Sequence, residues 1–127
     1  MITEDYVSLE TAKLLKEKGF NEECIGYYVD YEPNDVKYSF MGETNSTWEP
    51  RCYSAPTLQM VMKWLREVHK LCISITPQVT DDDGDGGCLW QFAITSHLEP
   101  LSISLELYEQ YEEACEAAIK YCLENLI

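Results

Sequence analysis

A run of aspartates and glycines, DDDGDGG, is the local motif with the clearest chemical potential. The residues with the spacing of the first half of an EF-hand calcium loop are Asp81, Asp83, Asp85 and Gly86. The match ends at the twelfth position, where Phe92 stands in place of the bidentate Glu, and the flanks alternate like strands. We therefore predict an acidic hairpin tip whose glycines adopt positive φ angles, with weak cation binding as the alternative.

Cysteine and histidine are the other residues that could hold a metal or act as nucleophiles. The six cysteines are Cys24, Cys52, Cys72, Cys88, Cys115 and Cys122. They form no CxxC pair, and His69 and His97 lack the short spacing to Cys that is typical of a zinc site. We expect buried, unpaired thiols that pack as small apolar groups, and we predict no metal and no cofactor. Metal ligation or redox chemistry is the alternative.

The histidines also lack the neighbours that catalysis requires. His69 falls at the end of a predicted helix, where a cation meets the helix dipole favourably, and His97 falls in the turn SHLEP. The chain has no phosphate-binding glycine loop, no nucleophile elbow and no HExxH. The prediction is a protein without a catalytic site. A small enzyme or metal-binding module stays open if either histidine converges with Cys or acidic residues.

The charge balance restricts the partners. With 23 Asp and Glu against 9 Lys and Arg, the net charge is -14 over 127 residues, and no segment gathers a basic face. We therefore expect no direct binding to nucleic acid or to an anionic membrane. An alternative function for the acidic residues is to mimic the DNA phosphate backbone and so block a host enzyme that binds nucleic acid. The acids predicted to form one row on and before the last helix are Glu106, Glu109, Glu112, Glu113 and Glu116.

Aromatic residues supply the candidate binding surface. Nine tyrosines and three tryptophans are many for this length. Six of the aromatics cluster in one hairpin and the loop after it, namely Tyr27, Tyr28, Tyr31, Tyr38, Trp48 and Tyr53. Because aromatics with a polar tip are favoured at interfaces, we predict partner contacts at Tyr28, Tyr31, Trp48 and Tyr53. Coverage of the core and of sheet edges is the alternative use of these side chains, and a homodimer would also cover them.

The first half of the sequence predicts a helix followed by a β-hairpin. Ser8 is the predicted N-cap of a helix that runs to about Lys18, and Gly19 can take the left-handed conformation that ends it. The runs CIGYYVDY and VKYSF predict two strands, and a loop of about a dozen residues follows. Asn45-Ser46-Thr47 in that loop matches a glycosylation acceptor, which has no meaning in a cytosolic protein.

The second half adds a helix, three strands and a last helix. A helix is predicted to begin at Ser54 or Ala55 with Pro56 in its first turn. Its predicted apolar stripe comprises Leu58, Val61, Met62, Leu65 and Val68, with Met60 and Trp64 at the edge of the core. The strands are predicted over 71–75, 88–95 and 101–107, and the last helix over 111–125. Trp90, Phe92 and Ile94 would share one face, and Leu101, Ile103, Leu105 and Leu107 another.

The order helix-strand-strand-helix-strand-strand-strand-helix predicts a single α+β domain over residues 1–127. We expect one antiparallel sheet with the helices mainly on one face. The N-terminal sequence resembles no secretory signal, and no apolar run is long enough to span a bilayer, so a cytoplasmic location is expected.

Three stretches resemble a known group of proteins: MITEDYVSLETAKLLKEKGF, CYSAPTLQMVMKWLREVHK and YEEACEAAIKYCLENLI. Together they cover about half of the chain. They are similar to small uncharacterised proteins carried by prophages and other mobile elements of anaerobic gut bacteria. The resemblance implies a genomic setting and transfers no activity, substrate or functional residue. Such proteins often have Thr or Ser as the N-cap of the last helix, where this chain has Gln110. The leading hypothesis is a non-catalytic, phage- or mobile-element-associated protein that acts by binding another protein.

Overall fold

The part of the chain that the structure describes contains three α-helices and six antiparallel strands. The computed structural model describes residues 2–80, 87–96, 100–104 and 106–127, with the backbone alone for residues 80 and 100–103. The elements in chain order are α1 (Leu9–Glu17), β1 (Cys24–Val29), β2 (Lys37–Glu43), β3 (Cys52–Ser54), α2 (Leu58–Val68), β4 (Leu71–Thr80), β5 (Gly87–Ser96), β6 (Pro100–Ile103) and α3 (Tyr111–Tyr121). The predicted α+β class is confirmed. None of the described helices is both long and apolar enough to cross a membrane.

The strands are divided between two three-stranded sheets, whereas one sheet was expected. The first has the order β2-β1-β3 and the second the order β4-β5-β6, and all the pairings are antiparallel. The predicted hairpin and meander are therefore present. The additional strand is β3, which lies in the segment predicted as a loop. Its three residues are too few to produce an alternating pattern, and Pro50 and Pro56 flank it closely.

Helix α1 begins and ends as predicted. The Ser8 hydroxyl accepts a hydrogen bond from the N–H of Thr11 at 3.3 Å. At the other end, the N–H of Phe20 donates to the Leu15 carbonyl at 2.9 Å, across Gly19 with its φ of 89°. This backbone geometry is a Schellman motif, which satisfies carbonyls that the helix leaves without partners. It also returns Phe20 to the core, where that side chain is fully buried.

Helix α2 begins later than predicted. Its N-cap is Thr57, whose hydroxyl accepts from the N–H of Met60 at 3.2 Å. The prediction of a start at Ser54 or Ala55 was wrong because Ser54 is still part of β3 and the N–H of Ala55 donates to a carbonyl of β1. Pro56 accordingly precedes the cap instead of occupying the first turn.

One hydrophobic core joins residues from all three helices and both sheets. On α2 the predicted stripe is buried except for Val68, which is 55% exposed because it lies in the last turn beyond the sheet. Trp64 is buried and meets Phe20 edge to face at 5.2 Å. In β5, Phe92 and Ile94 are buried. The buried positions of α2 are therefore those predicted from the 3.6-residue period, except for Val68.

The C-terminal elements differ from the prediction at their ends. Helix α3 gives way to a π-helical turn, Cys122–Leu126, and its N-cap Gln110 makes no side-chain hydrogen bond. Strand β6 is shorter than predicted and ends at Ile103, after which the hydroxyl of Ser104 accepts from the N–H of Glu106 at 3.1 Å. Leu107 is half exposed, and the side chains of the three other residues predicted to share its face lie outside the described residues.

The cap of α2 yields a test of the corrected helix boundary. We expect Thr57→Ala to lower the free energy of unfolding by about 1 kcal/mol, because the N–H of Met60 loses its acceptor. The matched control is Lys63→Ala on the exposed side of the same helix, for which a change below about 0.5 kcal/mol is expected. Urea denaturation followed by circular dichroism measures both. Equal effects of the two substitutions would contradict the cap at Thr57.

Candidate partner-binding surface

Strand β2 is an edge strand with one side free. Its inner side pairs with β1, where Tyr38 lies opposite Gly26 and Lys37 lies opposite Tyr27. In the part of the chain that the structure describes, no strand pairs with its outer side. The pairing is irregular between Cys24 and Gly26 of β1, so β2 is bulged against its partner. An edge of this kind presents backbone N–H and C=O groups to solvent.

Large apolar side chains are exposed along this edge. Phe40 is exposed at 108% of its reference area, Met41 at 74%, Tyr38 at 59%, and Ile25 of the neighbouring strand at 55%. We call these four residues the β2 edge surface. Single exposed apolar residues are ordinary, but a group on an unpaired strand marks an interaction site or an aggregation hazard. The unpaired backbone and the apolar side chains thus coincide on one strand.

Tyr6 connects this edge with the N-terminal segment. Its ring lies over the glycine of β1, where a Cβ added to Gly26 would come within 3.4 Å of it. The ring also meets that of Tyr38 edge to face, with 6.0 Å between the centroids. Interaction with the Tyr38 hydroxyl raises the pKa of Tyr6 above its usual value, and burial adds to the effect. Tyr38 is therefore held at one end of the β2 edge surface by an aromatic contact.

Beyond Tyr6 lies a shallow, open depression of about 440 Å³, whose lining combines apolar side chains with several carboxylates. Its acidic residues are Glu4, Asp5, Glu112, Glu113 and Glu116, and we call it the acidic concavity. Tyr6 lines it together with Val36, the residue immediately before β2. The acidic concavity and the β2 edge surface therefore adjoin each other at Tyr6.

Glu116 differs from the other acids of the concavity because it has an internal role. Its Oε1 accepts hydrogen bonds from the Ser8 N–H at 3.0 Å, from the Ser8 hydroxyl at 2.6 Å and from the Thr11 hydroxyl at 2.5 Å. Thr11 is fully buried. The carboxylate thus fixes α3 to the N-terminus of α1, where the helix dipole favours negative charge. This contact removes Glu116 from the predicted row of free acids.

The four residues predicted to contact a partner are not brought together as one exposed group. Tyr28 is buried, and its hydroxyl donates to the Val7 carbonyl at 2.6 Å, so it lies in the core and has no surface from which to bind. Tyr31 is exposed next to the hairpin turn. Trp48 and Tyr53 are half-buried. Only Tyr31 among the four is free for contact over most of its area.

Internal contacts account for the burial of the two half-buried aromatics. Trp48 stacks on Tyr27 with 4.5 Å between the ring centroids, and its Nε1–H donates to the Ser54 hydroxyl at 2.7 Å. Tyr53 lies under two cations of α1, with the Lys16 ammonium 5.0 Å from the ring centroid and that of Lys13 at 5.6 Å. Both rings therefore stabilise the first sheet and its packing on α1.

Sequence reasoning missed Phe40 and Met41 as surface residues. The run VKYSF looks like a half-buried strand, and nothing in its period reveals that no partner covers it. One signal was available, because Met41 directly follows Phe40 and two adjacent apolar residues cannot both face one core.

The residues with metal-binding or catalytic potential do not assemble into a site within the described ranges. His69 is the C-cap of α2, and its ring meets Trp64 edge to face at 4.7 Å. His97 and the predicted acidic hairpin tip at 81–85 lie outside the described residues. Among the residues that are described, no group of three or more His, Cys, Asp and Glu is placed to hold a metal ion.

The cysteines are unpaired, and three of them are buried. Burial raises the pKa of Cys24 and of Cys115 to about 11 and that of Cys122 to about 12. Because the thiolate is the nucleophile, these buried groups are poor nucleophiles near neutral pH. They pack in the core as apolar side chains, as predicted, whereas Cys52, Cys72 and Cys88, which were also expected to be buried, are half-buried.

Thiol labelling checks this division of the cysteines. In the native protein at pH 8 we expect Cys24, Cys115 and Cys122 to react with a disulfide reagent at least about tenfold more slowly than the three half-buried cysteines. Peptide mass spectrometry after timed quenching identifies each site. In denaturant all six should react at similar rates. Fast native labelling of any buried thiol would contradict its assigned environment.

The role of Glu116 can be separated from that of a free acid on the same helix. We expect Glu116→Ala to lower the free energy of unfolding by about 1–3 kcal/mol, because the buried Thr11 hydroxyl loses its acceptor. Glu113→Ala is the control, since Glu113 is exposed and makes no hydrogen bond to the described residues. Thermal and urea unfolding measure both. Equal losses would show that the Glu116 contacts contribute nothing specific.

Comparison with known proteins gives no assignment. No protein-family model matches the sequence, and no match is found among curated proteins or among solved structures. The function must therefore be argued from the surface described above.

Proposed function

We propose that this protein is a non-catalytic binding protein and that its partner is another protein, which adds a strand to the outer side of β2. The observation that carries the proposal is the complete exposure of Phe40 on an unpaired edge strand. In strand addition, backbone hydrogen bonds provide affinity and alternate side chains provide specificity. Tyr38 and Phe40 are two residues apart and are both exposed, so a partner strand along β2 would cover both.

A comparison of the edges supports the choice of β2. Strand β3 is short, and the N–H of its Ser54 is already bonded to the side chain of Asn45 at 2.9 Å. Strand β4 contains Pro77, which has no N–H to donate to a further strand. Natural proteins protect edges by such means. Strand β2 is longer than β3 and contains no proline, and it presents two adjacent apolar residues in its middle. Its only protections among the described contacts are the bulge and the bond from the Met41 N–H to the Ser39 hydroxyl at 3.3 Å.

The chemistry of the exposed side chains supports a protein partner. Interfaces derive most of their binding energy from a few large residues that become fully desolvated, and aromatics and methionine are enriched among them. Phe40 and Met41 are of this kind and gain nothing from their present exposure to water. Tyr31, which was predicted as a contact residue, is also exposed on the β1–β2 hairpin.

A cytoplasmic setting on a phage or mobile element belongs to the same proposal. All six cysteines are free, which agrees with a reducing compartment. The resemblance to prophage-encoded proteins would make the partner a component of the host cell or of the element itself.

The alternative, an acidic mimic of DNA, has less geometric support. Of the five acids predicted in one row, Glu116 is bonded to Ser8 and Thr11, and Glu106 accepts from the Tyr108 hydroxyl at 3.2 Å. Of the other three, Glu112 and Glu113 line the acidic concavity and Glu109 does not, so the five acids do not form one free row of the kind that a phosphate mimic needs. We therefore retain protein binding through β2 as the leading proposal.

The proposal predicts a specific loss of binding. Phe40→Thr should abolish at least about nine-tenths of partner recovery in affinity purification from the native host cell, because the largest apolar contact is lost. Threonine keeps the strand propensity, so the free energy of unfolding should change by less than about 0.5 kcal/mol. Quantitative mass spectrometry of the retained proteins measures the loss.

The matched control is Val79→Thr on β4, where an apolar residue is 74% exposed in the other sheet. It should retain the partner at the level of the unmodified protein. Retention of every partner by Phe40→Thr, or an equal loss in both variants, would refute binding through β2.

A further inference from the structure

We infer that the segment which pairs with β2 is basic, and that its lysine or arginine side chains enter the acidic concavity next to the beginning of the strand. This inference rests on the proposed strand addition and specifies the chemistry of the partner. It joins two observations that are independent of each other, a strand whose outer side is unpaired and an adjoining group of carboxylates that form no ion pair with the residues the structure describes.

The carboxylates of the concavity are largely uncompensated. Four of them, Glu4, Asp5, Glu112 and Glu113, are exposed and make no side-chain hydrogen bond or ion pair with the residues that the structure describes. The lysines that form ion pairs form them with carboxylates outside the concavity. Lys13 pairs with Asp30, Lys37 with Glu32 and Asp35, and Lys120 with Glu10. Like charges gathered in a concave site repel one another, and a cation from outside would relieve this repulsion.

The charge along β2 itself is also unfavourable for an acidic partner. The single lysine of the strand, Lys37, is matched by two carboxylates at the hairpin turn. At the other end the strand finishes with Glu43, and the side chain of Glu23 packs against the adjacent Gly42. A segment that lies along β2 would therefore have acids near both of its ends, with apolar side chains between them.

Position connects the strand with the concavity. Val36 lines the concavity and is followed at once by the first residue of β2. Tyr6 lines the concavity and contacts Tyr38 of the strand. A chain that pairs with the seven residues of β2 covers roughly 23 Å, and it needs to continue by only a few residues past Val36 to bring a basic side chain to Glu112 or Glu113.

A second copy of this chain fits the surface poorly. Pairing of β2 with β2 would bring together two molecules that each carry a net charge of -14. It would also leave the carboxylates of both concavities without cations. The homodimer considered from the sequence is therefore disfavoured at this edge, and a basic extended segment of another protein is the occupant whose charge is complementary.

The test uses synthetic peptides as probes. Each contains a segment of alternating valine and threonine as long as β2, followed or preceded by a run of lysines, and the matched peptides have glutamates in place of the lysines. We expect the better lysine peptide to bind at least about tenfold more tightly than either glutamate peptide, with affinity falling as salt is raised. Titration calorimetry measures the affinities. Amide chemical shifts of Tyr38–Met41 and of Glu112 and Glu113 identify the contact.

Two modifications distinguish pairing from simple charge attraction. Methylation of alternate backbone nitrogens of the peptide should abolish binding for one of the two alternating sets, because only one edge of a strand donates to β2. Glu112→Gln with Glu113→Gln should lower the affinity for the lysine peptide at least about fivefold. Glu17→Gln with Glu124→Gln changes two exposed acids that lie at the end of α1 and within the C-terminal π-helical turn. This pair removes the same charge and should leave the affinity unchanged.

The outcomes separate the inference from the function on which it rests. Equal affinity of lysine and glutamate peptides, with shifts at β2, would overturn the basic partner and leave strand addition standing. Lysine-dependent binding without shifts at β2 would overturn both. Binding of neither peptide would overturn the basic partner, and the Phe40→Thr comparison would then decide the function alone. A dimer seen by light scattering that Phe40→Thr dissociates would replace the basic partner by a second copy.

Discussion

The buried side chain of Asn45 is the polar link that decides where the edges of the first sheet lie. Its Nδ2 donates to the Phe20 carbonyl at 2.7 Å, just after α1, and its Oδ1 accepts from the Ser54 N–H at 2.9 Å. A buried amide of this kind must satisfy its donors and acceptors inside the protein, which restricts the chain to one path. The loop from β2 is thereby drawn to the far side of β1, where β3 pairs. Strand β2 is left outermost.

The residues around Asn45 cover the β3 side of the first sheet and leave the β2 side uncovered. Trp48 covers Ser54 and stacks on Tyr27, so the β3 side is closed by aromatic packing. Tyr28 ties β1 to the N-terminal segment through the Val7 carbonyl. The same segment supplies Tyr6 to the edge and Glu4 and Asp5 to the acidic concavity. The packing that closes the core therefore also brings the apolar edge and the carboxylates next to each other.

Elements set by local rules could be predicted from the sequence, and elements set by distant contacts could not. The cap at Ser8 and the Schellman motif at Gly19 depend on neighbouring residues, and both were predicted correctly. The start of α2 was misplaced because Ala55 is held by a carbonyl of β1, a contact that no local pattern reveals. The exposure of Phe40 is a property of sheet order, and sheet order depends on where Asn45 finds its partners. The candidate site was accordingly missed although the hairpin that carries it was found.

The net negative charge of the chain affects how the unpaired edge of β2 interacts with other molecules. An exposed strand with Phe40 and Met41 at its centre invites pairing between copies, which leads to aggregation. A net charge of -14 opposes every such encounter, because two approaching edges bring their carboxylates together. In the proposed complex, the same charges attract the basic segment and lose their mutual repulsion when it binds. The proposal thus assigns two purposes to the charge at this surface, which are to keep the apolar strand unpaired in the free protein and to select the partner that covers it.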